Sequence, residues 1–253
     1  LFAMAGVDLH QRVRANKLEP GDRDVLVTLS DGSRLVAEKV LVAAGRVGNV
    51  EALNLPAAGL AATERGLLTV NAHFQTSVPH IYAAGDLVGF PGLASVSMEQ
   101  GRVAMSHAIG GESSRKIVEL QPVGIYTIPE VSSVGESEEQ LKQKGRAYVV
   151  GQSTLAANAR ANLIGEAVGF VKLLADADTG EILGVHCIGP HASELVHTGM
   201  AVMHHGGNVR WFAESVFNYP TLGEAYKYAA WDALDRMRER KQRVTPLERA
   251  AKG

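Results

Sequence analysis

The chain has 253 residues, of which 46% are hydrophobic and 21% are charged, so it has the composition of a globular protein and is long enough for two domains. The formal net charge of −2 argues against a general nucleic-acid surface, and no apolar run is long enough to cross a membrane. The single cysteine, Cys187, excludes an internal disulfide and predicts a cytoplasmic protein, with the thiol buried in an apolar strand rather than acting as a nucleophile.

The first part of the chain predicts short strands. Residues 24–29 and 34–37 alternate around the turn sequence 30–33, which predicts an antiparallel hairpin. The apolar runs 39–44 and 67–70 predict buried strands.

The strongest signal lies in residues 76–94. Residues 81–84 predict a strand covered on both faces, and ligands bind beyond the carboxyl ends of such strands. There Gly85 allows a close backbone approach, and Asp86 offers acceptors for hydroxyl groups. A helix predicted to begin near residue 93 directs its free N–H groups and the positive end of its dipole toward the same place. The sequence therefore predicts a ligand site at this turn.

After a polar, linker-like segment at 112–119, strand patterns followed by helix patterns predict an α+β domain. The strands are predicted over residues 124–131, 148–155, 169–174 and 182–188, and the helices over 137–145, 192–203 and 222–238. Ser137 with Gln140, and Thr221 with Glu224, have the spacing of capping boxes. The apolar helix faces exceed what one small domain would bury, which predicts association with another surface.

Several histidines cluster around the helix predicted over 192–203. They are His191, His197, His204 and His205. Two of them are adjacent and one precedes the helix, so they do not share a face as metal ligands would, and no metal site is predicted. The charged residues 238–253 predict a solvated helix end and tail.

Residues 76–94 closely resemble the second flavin-binding motif of the pyridine nucleotide-disulphide oxidoreductase family, which includes dihydrolipoamide dehydrogenase and glutathione reductase. The resemblance implies bound FAD and a homodimer. It implies that Asp86 binds the flavin ribitol, beside Gly85 and Leu93. The backbone N–H of Ala94 would lie at the pyrimidine edge of the flavin, where a helix N-terminus stabilises negative charge.

The resemblance also implies a domain order. Residues 1–48 would end a Rossmann-like NAD(P)-binding domain, 49–118 would end the FAD-binding domain, and 119–237 would form the α+β dimerisation domain. Near the nicotinamide nucleotide would lie Ala44, Gly45 and Arg46. No Gly-x-Gly-x-x-Gly fingerprint occurs in the sequence, so the chain is expected to be the C-terminal part of a longer flavoprotein.

The segment 217–226 distinguishes branches of this family. In its dithiol members a histidine precedes the proline that matches Pro220, and it pairs with a glutamate at the position of Glu224 to serve a cysteine pair across the dimer interface. Here Tyr219 takes that place, and a phenol with an ordinary pKa of about 10 is a poor proton shuttle near neutral pH. No thiolate–imidazole relay can be built from this motif.

Together with residues 45–49 and 124–130, segment 217–226 resembles the soluble, Si-specific pyridine nucleotide transhydrogenases of the same family. The resemblance implies hydride transfer from NADPH through flavin N5 to NAD⁺ without a dithiol. Tyr219 and Glu224 would then be candidate catalytic residues contributed by the partner subunit, although Glu224 could instead be only a helix cap.

Two alternatives stay open. One is a dihydrolipoamide dehydrogenase-like or other flavin disulfide reductase, which a cysteine pair upstream would favour. The other is a truncated, non-catalytic dimerisation module, which a colourless dimer would favour. The sequence leaves open the preference for NAD or NADP, because the residue that reads the ribose 2′ position lies outside it.

Overall fold

The computed structural model describes residues 6–89, 91–111, 117 and 120–250, with side chains in the last helix as far as residue 242. The chain forms two compact units, Leu1–Asn49 and Val50–Gly253. The predicted linker at 112–119 lies largely outside the described residues. The predicted domain boundaries after residues 48, 118 and 237 remain predictions.

The first unit contains a three-stranded antiparallel sheet of β1 (Ala15–Pro20), β2 (Val25–Leu29) and β3 (Arg34–Ala37), in that order. The β2–β3 hairpin is the predicted one. In its turn the Asp31 carboxylate accepts hydrogen bonds from the N–H group and the hydroxyl of Ser33, at 2.9 and 2.6 Å. β1 was not predicted, since all six of its residues are exposed and show no apolar alternation.

Three predicted buried strands are not strands in the structure. Residues 39–44 form no strand pairing with any residue that the structure describes, and Leu41 within this run is 92% exposed. In the runs 67–70 and 81–84 the structure shows isolated pairings instead of a strand ladder, such as the bridge between Gln75 and Tyr82 and the hydrogen bond from Leu68 N–H to the Leu87 carbonyl. A buried strand needs neighbours on both sides, and the described residues beside these runs provide no continuous ladder.

The second unit contains a five-stranded antiparallel sheet in the order β4-β5-β8-β7-β6. Its strands are β4 (Val123–Ile125), β5 (Glu130–Gly135), β6 (Tyr148–Thr154), β7 (Phe170–Asp176) and β8 (Ile182–Gly189). β6, β7 and β8 were predicted to within a few residues, whereas the single strand predicted over 124–131 is two strands, β4 and β5, and β5 continues to Gly135. This sheet and the helices below confirm the predicted α+β fold.

The α-helices of the second unit are α1 (Ala94–Ala108), α2 (Glu138–Gln143), α3 (Ala159–Leu163), α4 (Ala192–His204), α5 (Val209–Glu214) and α6 (Ala225–Ala250). Residues of α4, α5 and α6 share one apolar core with the sheet, and Tyr226 and Phe212 are fully buried in it. On the opposite side Leu141 of α2 packs against Leu174 and Leu183. None of the helices in the described part of the chain combines the length and hydropathy needed to cross a membrane.

The two predicted capping boxes have different outcomes. The box of α2 is confirmed: the Ser137 hydroxyl accepts from the backbone N–H of Gln140, and the side-chain Oε1 of Gln140 accepts from the backbone N–H of Ser137. The second prediction is wrong. The Thr221 hydroxyl donates instead to the Asn218 carbonyl at 2.8 Å, and a 3₁₀ turn, Leu222–Glu224, precedes α6. The Thr221 hydroxyl accepts no hydrogen bond from the N–H groups at the start of the 3₁₀ turn, so the predicted cap is not formed.

Candidate functional site

The predicted ligand turn is a 3₁₀ turn, Gly85–Val88. Gly85 has φ +79°, in the left-handed region that favours glycine, and a Cβ added there would lie 3.3 Å from the Ser97 hydroxyl of α1. The Gly85 N–H donates a 2.6 Å hydrogen bond to Oε1 of Gln100. The turn therefore lies directly against α1.

The structure brings Asp86 and the start of α1 together. A Cβ added at Gly92 would lie 3.5 Å from Asp86 Oδ1, so the carboxylate faces the segment that leads into the helix. Leu93 is the N-cap residue, with extended backbone and no side-chain cap, and α1 begins at Ala94. The first-turn N–H groups and the positive end of the helix dipole thus lie beside the Asp86 turn.

Sequence reasoning missed Gln100, the residue that joins the turn to the helix. Its side chain is 6% exposed and lies on the buried stripe of α1 with Val96, Val103 and Ala104. A buried polar side chain normally has a hydrogen-bond partner, and here the partner is Gly85. A glutamine interrupting an apolar helical stripe was the available signal.

The C-terminal end of α1 also contacts the segment that precedes the Gly85–Val88 turn. His107 Nδ1 lies 2.8 Å from the Tyr82 hydroxyl, and the His107 ring stacks on His73 with centroids 4.3 Å apart. The Gln75 amide donates to the Pro79 carbonyl at 2.8 Å and to the Tyr82 hydroxyl at 3.3 Å. The segment leading to Gly85 is therefore held at both ends of α1.

The candidate nicotinamide residues lie in the other unit. Ala44, Gly45 and Arg46 form an exposed segment without regular secondary structure, and Gly45 has φ +108°. Such a backbone conformation is typical of a glycine turn. Their role as a nucleotide site remains a prediction.

Tyr219 and Glu224 lie in the connection between α5 and α6. Tyr219 is 73% exposed and precedes Pro220 through a cis peptide bond, while Glu224 is half-buried in the 3₁₀ turn. Buried Asn158 donates from its amide to the Thr221 carbonyl at 3.0 Å. Lys227 donates to the Ser215 carbonyl at 2.8 Å. The backbone of this loop is held, while the Tyr219 ring stays accessible.

Cys187 is a buried core residue, as predicted. Burial raises the pKa of its thiol to about 12, and the nearby Tyr226 hydroxyl only partly offsets this. The thiol is therefore protonated and inaccessible at neutral pH. The described residues contain no group of three or more His, Cys, Asp or Glu side chains that could hold a metal ion.

A cavity of about 470 Å³ lies between α1 and α4, and Asp86 is not among the residues that line it. Its walls are mostly apolar, with Val96 and Val103 on one side and Met200 on the other. Polar side chains also line it, among them Ser95, Glu99, His204 and His205. We take the Asp86 turn as the candidate cofactor site because the sequence motif predicts it there.

Two family descriptions match the chain. Residues 1–101 match the pyridine nucleotide-disulphide oxidoreductases, and residues 121–230 match the dimerisation domain of these enzymes. Soluble pyridine nucleotide transhydrogenases of Klebsiella pneumoniae and an Enterobacter species are 44% and 43% identical over 239 residues, which cover 93% of this chain and 51% of each relative. The chain thus spans about half the length of these curated relatives.

Solved structures give the same picture. LpdA (Rv3303c) of Mycobacterium tuberculosis is 32% identical with a TM-score of 0.79, covering 90% of this chain and 50% of that one. The HOCl-induced flavoprotein disulfide reductase RclA of Escherichia coli, as its Cu(II) complex, is 25% identical with a TM-score of 0.84, covering 90% and 52%. The family matches agree with these likenesses. The chain belongs to the pyridine nucleotide-disulphide oxidoreductase family.

Proposed function

We propose that the protein carrying this chain is an FAD-dependent pyridine nucleotide transhydrogenase that passes a hydride from NADPH to NAD⁺ without a dithiol relay. The observation that carries the flavin part is the Asp86 turn, held against the uncapped start of α1 by the Gly85–Gln100 hydrogen bond. The similarity to curated transhydrogenases over 93% of the chain supports the choice of reaction.

The residues at this turn fit a flavin. Asp86 offers carboxylate oxygens to the ribitol hydroxyls, and the N–H of Ala94 at the start of α1 offers a donor to the pyrimidine edge. Gly85 and Gly92 leave the backbone uncovered, and Leu93 sets the direction in which α1 begins. When bound, the flavin would supply the hydride-accepting and hydride-donating chemistry, while these residues bind and orient it.

The nicotinamide nucleotides are substrates. We assign Ala44, Gly45 and Arg46 to the border of their site, where the glycine backbone allows close approach and the guanidinium complements phosphate. Tyr219 and Glu224 of the partner subunit would shape the far side of the flavin. Tyr219 occupies the position of the histidine in dithiol members, so a proton relay to a cysteine pair is not required of it.

The protein would act as a homodimer through residues 119–237. The match to the dimerisation domain supports this proposal. So do large apolar side chains that this part of the chain leaves exposed, among them Ile125, Tyr126, Ile128, Val216 and Tyr219. We expect a cytoplasmic location and neither a nucleic-acid nor a membrane partner, given the single cysteine and the charge of −2.

A flavin disulfide reductase is the second candidate. It is favoured by the structural likeness to a flavoprotein disulfide reductase with a TM-score of 0.84. Tyr219 argues against the branch of that class that relies on a histidine before the proline.

The test uses the complete protein, supplied with NADPH and a thio-analogue of NAD⁺ and no dithiol. Rapid flavin-dependent reduction of the analogue is expected. Activity only on a disulfide substrate would instead establish the reductase. Asp86→Ala should lower the flavin content, while Asp235→Ala, which removes an exposed carboxylate of α6, should not. Unchanged flavin content in Asp86→Ala would remove Asp86 from the site.

A further inference from the structure

We propose that Gln100 is a positioning residue for the flavin site. It would hold the Gly85–Val88 turn in register with α1, so that Asp86 and the N–H of Ala94 address the same bound molecule. This inference rests on the proposed function, because it assigns a role toward the flavin.

The burial of Gln100 requires an explanation. It is 6% exposed between Val96 and Val103, which are 7% and 3% exposed, so an apolar side chain would be the ordinary occupant. Burying an amide costs free energy unless its polar atoms are hydrogen-bonded. The 2.6 Å bond from Gly85 N–H to Oε1 supplies that compensation.

Gly85 in turn requires this acceptor. It is the first residue of a 3₁₀ turn, and the first N–H groups of a helical turn have no partner within the turn. The preceding Ala84 is extended and provides no side-chain cap, and the positive φ of Gly85 directs the chain against α1. The carbonyl groups inside α1 are used by the helix, so a side chain has to accept this hydrogen bond.

The hydrogen bond spans the two proposed flavin contacts. Asp86 follows Gly85 directly, while Ala94 lies six residues before Gln100 on the same helix, about 9 Å along its axis. Without the bond, the partly buried Gly85 N–H would lose its side-chain acceptor, and the turn could shift relative to the start of α1. The carboxylate and the helix N-terminus would then be less well placed for one rigid ligand.

The experiment compares three variants of the complete protein. Gln100→Leu removes the acceptor at similar size, and Gln100→Glu keeps an acceptor. The control, Gln140→Leu, removes a bond of the same kind, in which Gln140 Oε1 accepts Ser137 N–H at 2.8 Å in the cap of α2. The readouts are the dissociation constant of FAD from the flavin-free protein, the visible absorption spectrum of bound FAD, and hydrogen exchange of a peptide covering 81–88.

We expect Gln100→Leu to weaken FAD binding by about tenfold or more, shift the flavin spectrum and accelerate exchange of the peptide. Gln100→Glu keeps the acceptor but adds a charge at a buried site, so it should bind FAD more tightly than Gln100→Leu and less tightly than the parent. Gln140→Leu should lower thermal stability and leave the FAD dissociation constant and the spectrum unchanged.

Unchanged binding and spectrum in Gln100→Leu would overturn the positioning role, and so would equal weakening in Gln140→Leu. If Gln100→Leu does not fold, Gln100→Asn, whose arm is one methylene shorter, carries the same test. A parent protein that binds FAD but transfers no hydride would overturn the proposed function and leave this inference standing. A parent that binds no FAD would overturn both.

Discussion

Gly151→Ala should strongly destabilise the second unit, because the small residue lets α6 cross β6 at close range. An added Cβ would lie 2.6 Å from Ala233 Cβ and 2.8 Å from Ala233 N, and it would also collide with the Ala229 carbonyl. Ala229 and Ala233 are fully buried. Since the obstructing atoms belong largely to helix backbone, no side-chain rotation can relieve the contact.

The structure gives the size of the effect. Ordinary van der Waals contact begins near 3.4 Å, so the helix would have to retreat by roughly 0.8 Å or more over the sheet. Overpacking of a close-packed core costs about 1–3 kcal/mol, and a contact with backbone belongs at the upper end. We therefore expect a loss of about 3 kcal/mol from the free energy of unfolding, or roughly 1 M in the urea midpoint.

The fluorescence of Trp211 and Trp231, which lie in α5 and α6, should report this unfolding in urea. The matched control is Gly101→Ala in α1, where an added Cβ would meet no heavy atom within 4 Å. It should leave stability unchanged or raise it by about 0.5–1 kcal/mol through helix propensity. A Gly151→Ala midpoint equal to that of the parent would refute the close approach of α6 to β6.

Three further predictions concern the same unit. Tyr226→Phe removes the hydroxyl that donates to the Leu195 carbonyl at 2.8 Å and should cost about 1 kcal/mol in urea unfolding, whereas Tyr228→Phe at a half-exposed site should be nearly neutral. The Glu130 carboxylate accepts hydrogen bonds from the hydroxyl and the N–H group of Ser193, and these bonds, the hydroxyl's first, hold the pKa of Glu130 below its ordinary value of 4.5. The ionised carboxylate therefore stabilises the fold above pH 4.5, and this stabilisation is lost as the pH falls through the lowered pKa. Glu130→Gln should flatten this acid-side loss, measured as unfolding midpoints across acidic pH, while the exposed Glu139→Gln should leave the slope unchanged. Because burial raises the pKa of the Cys187 thiol to about 12, a maleimide should label it only after denaturation; stoichiometric labelling of the native protein would contradict its burial.

Two pairings of the five-stranded sheet, β4–β5 and β7–β8, join strands that follow each other closely in the sequence, and these hairpins are the pairings that local sequence can predict. β7 and β8 are joined by a short turn, where Asp176 accepts hydrogen bonds from the N–H groups of Asp178 and Thr179. The run 39–44 has equally strong apolar character, but a buried strand depends on neighbours that the run itself cannot supply. Local sequence predicts that the segment is suited to a strand, whereas only its surroundings determine whether a ladder forms.

The failed capping box shows a second limit. Thr221 and Glu224 have the correct spacing, yet the Thr221 hydroxyl donates to the Asn218 carbonyl. Short polar side chains bond readily to nearby loop backbone, and this competes with capping. The spacing is therefore necessary for a capping box, but it does not determine whether the hydroxyl bonds to the helix or to the preceding loop.

At the candidate site, sequence reasoning proposed residues that would face a ligand, which remains a prediction, and missed the residues that hold the turns in place. The proximity of Asp86 to the start of α1 follows from a short connection, so it could be predicted. The bond from Gly85 to Gln100 spans 15 residues, and that from Asn158 to Thr221 spans 63. Side-chain partners at such separations depend on the packed fold, and no local pattern specifies them.

Gln100 and Asn158 each provide a hydrogen-bond partner for a backbone group of a separate turn. Each is nearly fully buried, and each bonds to the backbone of an irregular turn that carries a candidate functional side chain on an adjacent or nearby residue. A turn cannot satisfy all of its own backbone groups, so a partner has to come from elsewhere in the fold. A neutral amide can do this without placing a charge in the core, which a carboxylate or an ammonium group would do at a larger desolvation cost. Buried amides bonded to turns are thus the positions where we expect substitutions to disturb a functional turn while the surrounding sheet and helices remain folded.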